Sequence, residues 1–363
     1  MTTAQVDFTP DELLATHDYA EPLFAGGVRC HGGFTEDGTY VSPRTKHRVP
    51  AIKAWQAKHE AEFAAPILDA PIDTWPEAYP NLAQSRFLLE QGVRQPIISS
   101  LTRIGTVEGF GGMIRHSVVP DLEATFVEDT RGTATAHLTD GLYEAHARDE
   151  AGHEEDGVAE GGHKQMWFAA RDIAFEDPVT EDETIVMLER MGIATPGSGG
   201  QVDLEAMRKH AIANRLLPDD VPFVLESLVE RMVRLLFIEI SAFHTFAWAE
   251  ALLGDETVVA GEGEPARLVS YIRADETPHV DYLRTVLTEM RDRTVLGESG
   301  AHHKGVDVVG PIWERAMADS LGPRRKDGME ITVRELEHAL AGRADAADVL
   351  EQFHALGSVR PPF

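Results

Sequence analysis

The sequence predicts a mainly α-helical protein. Apolar residues recur at helical spacing from residue 80 onward, and no strong strand alternation appears after that point. Residues 221–254 are apolar on nearly every face between 235 and 248, which predicts a long, buried central helix. The chain has 363 residues, of which 43% are hydrophobic, so it can bury a sizeable core.

The elements follow in order along the chain. Residues 1–79 are expected to form an irregular segment packed on the core, because Gly pairs, Asp-Gly and Pro indicate turns and short hairpins. Residues 80–295 are expected to form a helical bundle, and residues 296–363 a C-terminal extension of two or three shorter helices. The expected helical segments of the bundle are 81–93, 95–114, 133–153, 163–177, 221–254 and 264–293.

Composition excludes several classes of partner and location. The formal net charge of −28 would repel a phosphate backbone, so neither nucleic acid nor an anionic membrane is expected as a partner. No run of 18 apolar residues predicts a transmembrane helix, and the N-terminal residues do not resemble a signal peptide. With Cys30 as its single cysteine the chain forms no internal disulfide, and a cytoplasmic protein is expected.

The chemistry-bearing motif is Glu-x-x-His, which on a helix places both side chains on one face. The sequence has five such pairs, more than the one or two expected by chance, so position must decide among them. Two of the five follow an Asp and lie late in long helical segments: "DEAGH" at 149–153 and "DETPH" at 275–279. The five pairs are Glu150/His153, Glu160/His163, Glu276/His279, Glu335/His338 and Glu351/His354.

Each Asp-bearing motif is preceded by a helical segment with a Glu in an apolar run. These are Glu108 in "LTRIGTVEGFGGMI" and Glu239 in "LLFIEISAF". Four carboxylates and two imidazoles in one bundle core suit two iron or manganese ions, because carboxylates bridge and neutralise the metals while imidazoles complete their coordination. The candidate ligands are Glu108, Glu150, His153, Glu239, Glu276 and His279.

Asp149 and Asp275 have a candidate role beside these ligands. A histidine that binds a metal usually donates its other ring N–H to a carboxylate, which fixes the orientation of the ring. Both Asp residues directly precede a candidate ligand, so they are placed to hold the histidines.

On these residues the chain resembles the ferritin-like di-iron carboxylate superfamily over roughly residues 80–295. The resemblance implies a four-helix bundle in which each Asp serves the His of the opposite helix, Asp275 with His153 and Asp149 with His279. It also implies an enzyme that activates O₂ on two iron ions (manganese or a mixed pair being the alternatives) and oxidises a small organic substrate. Electrons would come from an external donor such as a reductase or ferredoxin, and a homodimer is an open alternative.

Two assignments leave a rival. Glu160/His163 competes with Glu150/His153, since "HEEDGVAEGGH" interrupts the helix with glycines and His163 could then approach the metals. Glu123 competes with Glu108 as the ligand of the first helix. His244 is interpreted as a core histidine, because it lies five residues after Glu239 and so faces another way.

Two other functions stay open. A ferroxidase or iron-storage protein would use the same ligands without an organic substrate, but 363 residues exceed what a minimal bundle needs. A non-catalytic helical interaction protein would leave the acidic residues solvated.

Pro278 falls inside the "DETPH" motif. It removes a backbone N–H and leaves the carbonyl of Ala274 without its helical donor. We therefore expect a kink or widened turn between Ala274 and His279, beside the candidate ligands.

Overall fold

The computed structural model describes residues 5–155, 157–175, 179–190, 205, 209 and 212–357. The protein is mainly α-helical, as the sequence predicts. Within the described part of the chain, no helix combines the length and the apolar character needed to cross a membrane.

Long helices make up most of the described residues, and short strands pair as antiparallel hairpins or a small sheet. The strands are β1 (Glu21–Ala25), β2 (Val28–Phe34), β3 (Tyr40–Val41), β4 (His153–Glu155), β5 (Val158–Glu160), β6 (Thr294–Leu296) and β7 (His302–Lys304). The α-helices are α1 (Pro10–Leu14), α2 (Thr45–Phe63), α3 (Leu82–Glu90), α4 (Gln95–Gly111), α5 (Leu122–Thr125), α6 (Tyr143–Ala151), α7 (His163–Ala174), α8 (Glu181–Arg190), α9 (Phe223–Leu253), α10 (Glu264–Asp275), α11 (Thr277–Asp292), α12 (Gly305–Leu321), α13 (Pro323–Leu340) and α14 (Ala346–Leu356).

The long helix α9 runs through the core, and the prediction of a buried central helix is confirmed. It packs against α10, α11 and α12. Its first half, including Phe237, belongs to one apolar cluster, and its second half, including Phe246, belongs to another. Glu239 lies on α9 close to the point where the first cluster gives way to the second.

Helix α4 approaches α6 and α7 closely because glycines line the contact. A Cβ atom at Gly105 would lie 2.7 Å from a ring carbon of Phe168, and one at Gly111 would lie 2.6 Å from Cγ of Glu150. Both separations are too short for a real contact, so only glycine allows this spacing. The close approach brings Glu108 of α4 next to Glu150 of α6.

The predicted helix over residues 133–153 is wrong at both ends. A distorted turn at Leu138–Leu142 precedes α6, which ends at Ala151. Gly152 then adopts φ = +78°, and the chain forms the β4–β5 hairpin before α7 begins at His163. The hairpin is held to the N-terminal sheet, since the His31 N–H donates to the Gly161 carbonyl at 3.0 Å.

The base of this hairpin has no room for a side chain. A Cβ atom at Gly162 would lie 2.5 Å from the Asp149 carbonyl oxygen and 2.8 Å from that of Glu150.

We predict that Gly162→Ala lowers the free energy of unfolding by about 2–3 kcal/mol, because the backbone atoms around Gly162 cannot move away from an added Cβ atom. Gly328→Ala is the control: it lies in α13 with no atom within 4 Å of its Cβ position, so it should raise the unfolding free energy by up to ~1 kcal/mol. Urea titrations of both variants measure the difference, and equal effects would contradict the prediction.

The irregular N-terminal segment expected over residues 1–79 is wrong for residues 45–63, which form α2. The buried face of α2 carries Arg48 and His59 beside Ala51 and Trp55. These polar residues dilute the apolar period that would have indicated a helix. Helix α2 packs against α11, which bears one of the candidate ligands. Strands β1, β2 and β3 form an antiparallel sheet, as the expected short hairpins suggested.

Of the predicted kink or widened turn between Ala274 and His279, the structure shows a one-residue break in the helix at Glu276, which keeps helical dihedral angles (φ −72°, ψ −22°), and no widened turn. Helix α10 ends at Asp275 and α11 begins at Thr277, so Glu276 stands at the junction of two helices. The His279 N–H bonds to the Glu276 carbonyl at 3.0 Å, three residues back, as in a tighter helical turn. The break places Glu276 and His279 on either side of Pro278 at the N-terminal end of α11.

Candidate metal centre

Seven buried or nearly buried side chains converge where α4, α6, α7, α9 and the α10–α11 junction meet. They form two groups that share Glu150, and within each group the potential ligand atoms all lie within 4.8 Å of one another. We call them the first group and the second group. The first group is His146, Glu150, Glu239 and His279; the second group is Glu108, Glu150, His163 and Glu276.

Three helices build the first group. His146 and Glu150 lie one turn apart on α6, and the His146 Nε2 atom is 3.5 Å from a Glu150 oxygen and 3.3 Å from a Glu239 oxygen. The Nδ1 atom of His279 is 3.2 Å from the same Glu150 oxygen. Each ring therefore directs one nitrogen at carboxylates from other turns or helices.

The second group is centred on His163, the first residue of α7. Its Nδ1 atom is 3.4 Å from Glu108, 3.5 Å from Glu150 and 3.1 Å from Glu276. The other oxygen of Glu276 lies 2.8 Å from His279 Nδ1. Glu276 thus contacts a histidine of each group, and with Glu150 it connects the two.

In each of the three histidines of the two groups, the ring nitrogen that points away from the group contacts a polar side chain. His279 Nε2 lies 3.0 Å from Asp149, which is the partner that the family resemblance implied. His163 Nε2 lies 3.4 Å from Asp275, whereas the resemblance paired Asp275 with His153. His146 Nδ1 lies 2.9 Å from the Tyr282 hydroxyl. These contacts orient the rings so that the other nitrogen faces the group.

The N-terminal segment supplies a further layer around the histidines. Arg44 Nε donates to Asp149 at 2.8 Å, and Arg48 donates to the other oxygen of Asp149 at 2.7 Å. The Tyr40 hydroxyl donates to Asp275 at 2.8 Å. Residues of the sheet and of α2 therefore fix the two Asp side chains.

The surroundings push the pKa values of these groups apart. Burial and the nearby carboxylates of Glu108 and Glu276 raise the pKa of Glu150 well above its usual range. Burial and the Glu239 carboxylate likewise raise that of Glu276. Burial alone would lower the pKa of His163, but the carboxylates of Glu150 and Glu276 raise it well above its usual value. Without a cation, the centre must therefore hold protons to offset its negative charges.

Two side chains of the first group, His279 and Glu239, have lowered pKa values. Burial and the parallel ring of His146 lower the pKa of His279 to about 3. Burial opposes ionisation of Glu239, but its contacts with His146 and the nearby His279 lower its pKa to about 2. A neutral imidazole beside an ionised carboxylate is the state that binds a metal ion.

Several inward-facing atoms have no hydrogen-bond partner. They belong to four different side chains, and each is buried. Buried polar atoms are normally satisfied, so orphans gathered at one point indicate a missing ligand. The mixed oxygen and nitrogen donors fit iron or manganese. The atoms are His146 Nε2, Glu150 Oε1, His163 Nδ1 and Glu276 Oε1.

The structure brings together five of the six side chains that the sequence singled out. His153 is the exception and is corrected: it lies on β4, outside both groups. Because α6 ends at Ala151, the three-residue spacing from Glu150 no longer places both side chains on one helical face. The rival His163 reaches the centre instead. The five are Glu108, Glu150, Glu239, Glu276 and His279.

Sequence reasoning missed His146 altogether. Its signal was a His four residues before Glu150 on one helical face, a spacing and order that differ from Glu-x-x-His. The rival Glu123 is exposed on α5 and lies outside both groups. His244 is half-buried and hydrogen-bonds the Ile72 carbonyl at 2.8 Å, so it is not the core histidine that was expected.

Metal binding is expected to release protons. Glu150, Glu276 and His163 have raised pKa values in the metal-free protein, and each must lose its proton to act as a ligand. We predict release of about one proton or more per chain near pH 7, and an affinity that rises as the pH rises. Calorimetric titration with Mn²⁺ in phosphate and in Tris gives the proton count. Equal observed enthalpies in the two buffers would mean that no proton is released and would contradict the prediction.

No protein-family model matches this sequence, and no curated protein or solved structure matches the chain significantly. The functional interpretation therefore depends on the geometry of the candidate metal centre.

Proposed function

We propose that this protein is a non-haem di-iron oxidoreductase that activates O₂ and oxidises a small organic substrate. One observation carries the proposal: four glutamates and three histidines converge in two groups that share Glu150, and buried atoms facing the centre have no partner. An arrangement of this kind costs stability unless cations occupy it.

The proposal includes a ferritin-like four-helix bundle. Its arms would be α4, α6 continued by α7, α9, and α10 continued by α11. Each arm carries at least one glutamate of the two groups, and the second and fourth arms also carry the histidines. The β4–β5 hairpin would then be an insertion within the second arm.

In this proposal the glutamates and the histidines have different roles. The four glutamates would hold two divalent ions and balance their four positive charges. His146, His163 and His279 would complete the coordination, held by Tyr282, Asp275 and Asp149. Two iron ions bound here would supply the activation of O₂ for attack on a C–H or N–H bond.

The surroundings of Glu108 favour an organic substrate over a ferroxidase. A cavity of about 480 Å³ is lined by Glu108 and by apolar side chains including Phe237 and Phe246. Its volume suits a small molecule. The electron donor in this proposal is an external protein such as a reductase or ferredoxin, since the sequence shows no flavin or nicotinamide motif.

The test is anaerobic loading with Fe(II) and measurement of the metal content. The proposal expects about two ions per chain, and oxygen consumption that begins when air is admitted. Loading with Mn(II), alone and together with Fe(II), distinguishes a di-iron centre from a manganese or mixed one. Fewer than about one ion per chain, or loaded protein that consumes no O₂, would overturn it.

A further inference from the structure

The cavity beside Glu108 has an apolar body that reaches the surface. Phe237 and Phe246 are buried in its wall, whereas Val107 and Ile238 also line it although they are 45% and 38% exposed. Large apolar side chains that stay exposed around a cavity mark a site for an apolar ligand.

Arginines are prominent in the lining of the same cavity, although the chain has a formal net charge of −28. Three arginines and two glutamates line it, besides His244. Of the two glutamates, Glu108 belongs to the second group and Glu77 is exposed. The arginines are Arg103, Arg324 and Arg325.

The arginines differ in their partners. Arg103 forms an ion pair with the buried Glu335 carboxylate and donates a hydrogen bond to the Ser99 hydroxyl. Arg324 lies 3.6 Å from Asp319, with both side chains partly exposed. Arg325 donates to the Glu77 carbonyl at 3.1 Å, and no carboxylate of the described residues lies within ion-pair distance of it. Its guanidinium is half-buried and carries a charge that the protein leaves without a counter-ion.

We propose that this cavity binds a small carboxylate with an apolar body, its carboxylate on Arg325 and its body directed toward Glu108. One guanidinium without a carboxylate partner matches the single charge and the paired oxygens of a carboxylate. The apolar wall on Phe237, Phe246 and Ile238 then covers the remainder of the ligand. The inference rests on the proposed function, because it takes this cavity as the substrate site of the metal centre.

The experiment compares octanoate with octan-1-ol, which share an apolar chain and differ in charge. Binding to the full chain is followed by calorimetry, with the metal-free and the Mn²⁺-loaded protein. We expect octanoate to bind about tenfold more tightly than octan-1-ol, and Arg325→Met to remove this difference while octan-1-ol binds as before. Arg267→Met is the matched control, since Arg267 is exposed, donates to the backbone carbonyl of Glu262 and lies outside the cavity.

A second variant locates the ligand. Ser241 lines the cavity, so the larger side chain in Ser241→Trp should obstruct it and weaken binding of both compounds. Equal affinity for the two compounds, a preference that survives Arg325→Met, or binding unaffected by Ser241→Trp would each overturn the inference. Metal content is measured separately, so a carboxylate that binds to a protein without a metal centre would overturn the proposed function alone. A protein that holds two metals and does not prefer octanoate would overturn the present inference alone.

Discussion

Glu150→Gln is expected to abolish binding of both metal ions. Glu150 is the one side chain that belongs to both groups, and an amide cannot neutralise or bridge two cations. Metal analysis after anaerobic loading should therefore fall from about two ions per chain to nearly none. A substitution confined to one group, such as Glu239→Gln, should spare more of the metal.

The same variant should make the metal-free protein more stable. Burial and the Glu108 and Glu276 carboxylates raise the folded-state pKa of Glu150 above its unfolded value. The neutral Glu150 side chain contributes its full stabilisation below the pKa of the unfolded state. This contribution is lost as the pH rises through the pKa of the folded state. Glutamine stays neutral, so the variant should exceed the wild-type protein by about 1–2 kcal/mol in unfolding free energy at high pH.

His153→Gln is the control for the metal prediction. His153 lies on β4, outside both groups, so this variant should keep its full metal content and show the same proton release. If His153→Gln lost a metal while Glu150→Gln kept both, the assignment of His163 in place of His153 would be wrong.

Arg44→Met is expected to destabilise the metal-free protein by about 3 kcal/mol. The side chains of Arg44 and Asp149 are 2% and 0% exposed, and Arg44 contacts Asp149 through Nε and Nη2. Burial opposes ionisation of Asp149, but Arg44 and Arg48 hold its pKa well below the usual range. The variant would leave a buried carboxylate with Arg48 as its single remaining cation.

The effect should depend on pH in a defined direction. The pKa of Asp149 is lower in the folded state than in the unfolded state. Its ionised side chain therefore contributes stability that is complete above the unfolded-state pKa of ~3.9 and is lost as the pH falls through the folded-state pKa. The difference between Arg44→Met and the wild-type protein should therefore be largest near pH 7 and narrow below about pH 4. Denaturant titrations at several pH values measure it.

The control for this second prediction is Arg131→Met. Arg131 and Asp129 form an ion pair with side chains 77% and 54% exposed, and exposed pairs contribute less than ~1 kcal/mol. A loss for Arg44→Met no larger than that for Arg131→Met would show that Asp149 does not depend on Arg44.

Long helices explain why much of the centre could be anticipated. The apolar run around Glu239 allowed one interpretation, a buried helix with a carboxylate in need of a partner. Glu276 and His279 likewise stayed close together even though the helix divides at Glu276. In both cases the relevant spacing is local, so the sequence carries it directly.

The features that the sequence did not predict depend on residues that lie far apart along the chain. The pairing of Glu150 with His163 depends on a hairpin whose base requires Gly152 and Gly162, and a spacing rule for continuous helices cannot represent it. Arg44 and Arg48 contact Asp149 across about a hundred residues of sequence, with separations of 105 and 101. Contacts of this range leave no periodic pattern to detect.

The attachment of Gly161 to β2 has a consequence for how the protein can be divided. The N-terminal sheet holds the hairpin that leads into His163, and Asp149 is contacted by Arg44, directly before α2, and by Arg48 on α2. A fragment beginning at residue 80 would therefore keep the seven side chains of the two groups but lose the side chains that hold Asp149 and Asp275. We therefore expect the chain to melt in one cooperative transition, because its first eighty residues and the helices share the buried ion pairs of Asp149.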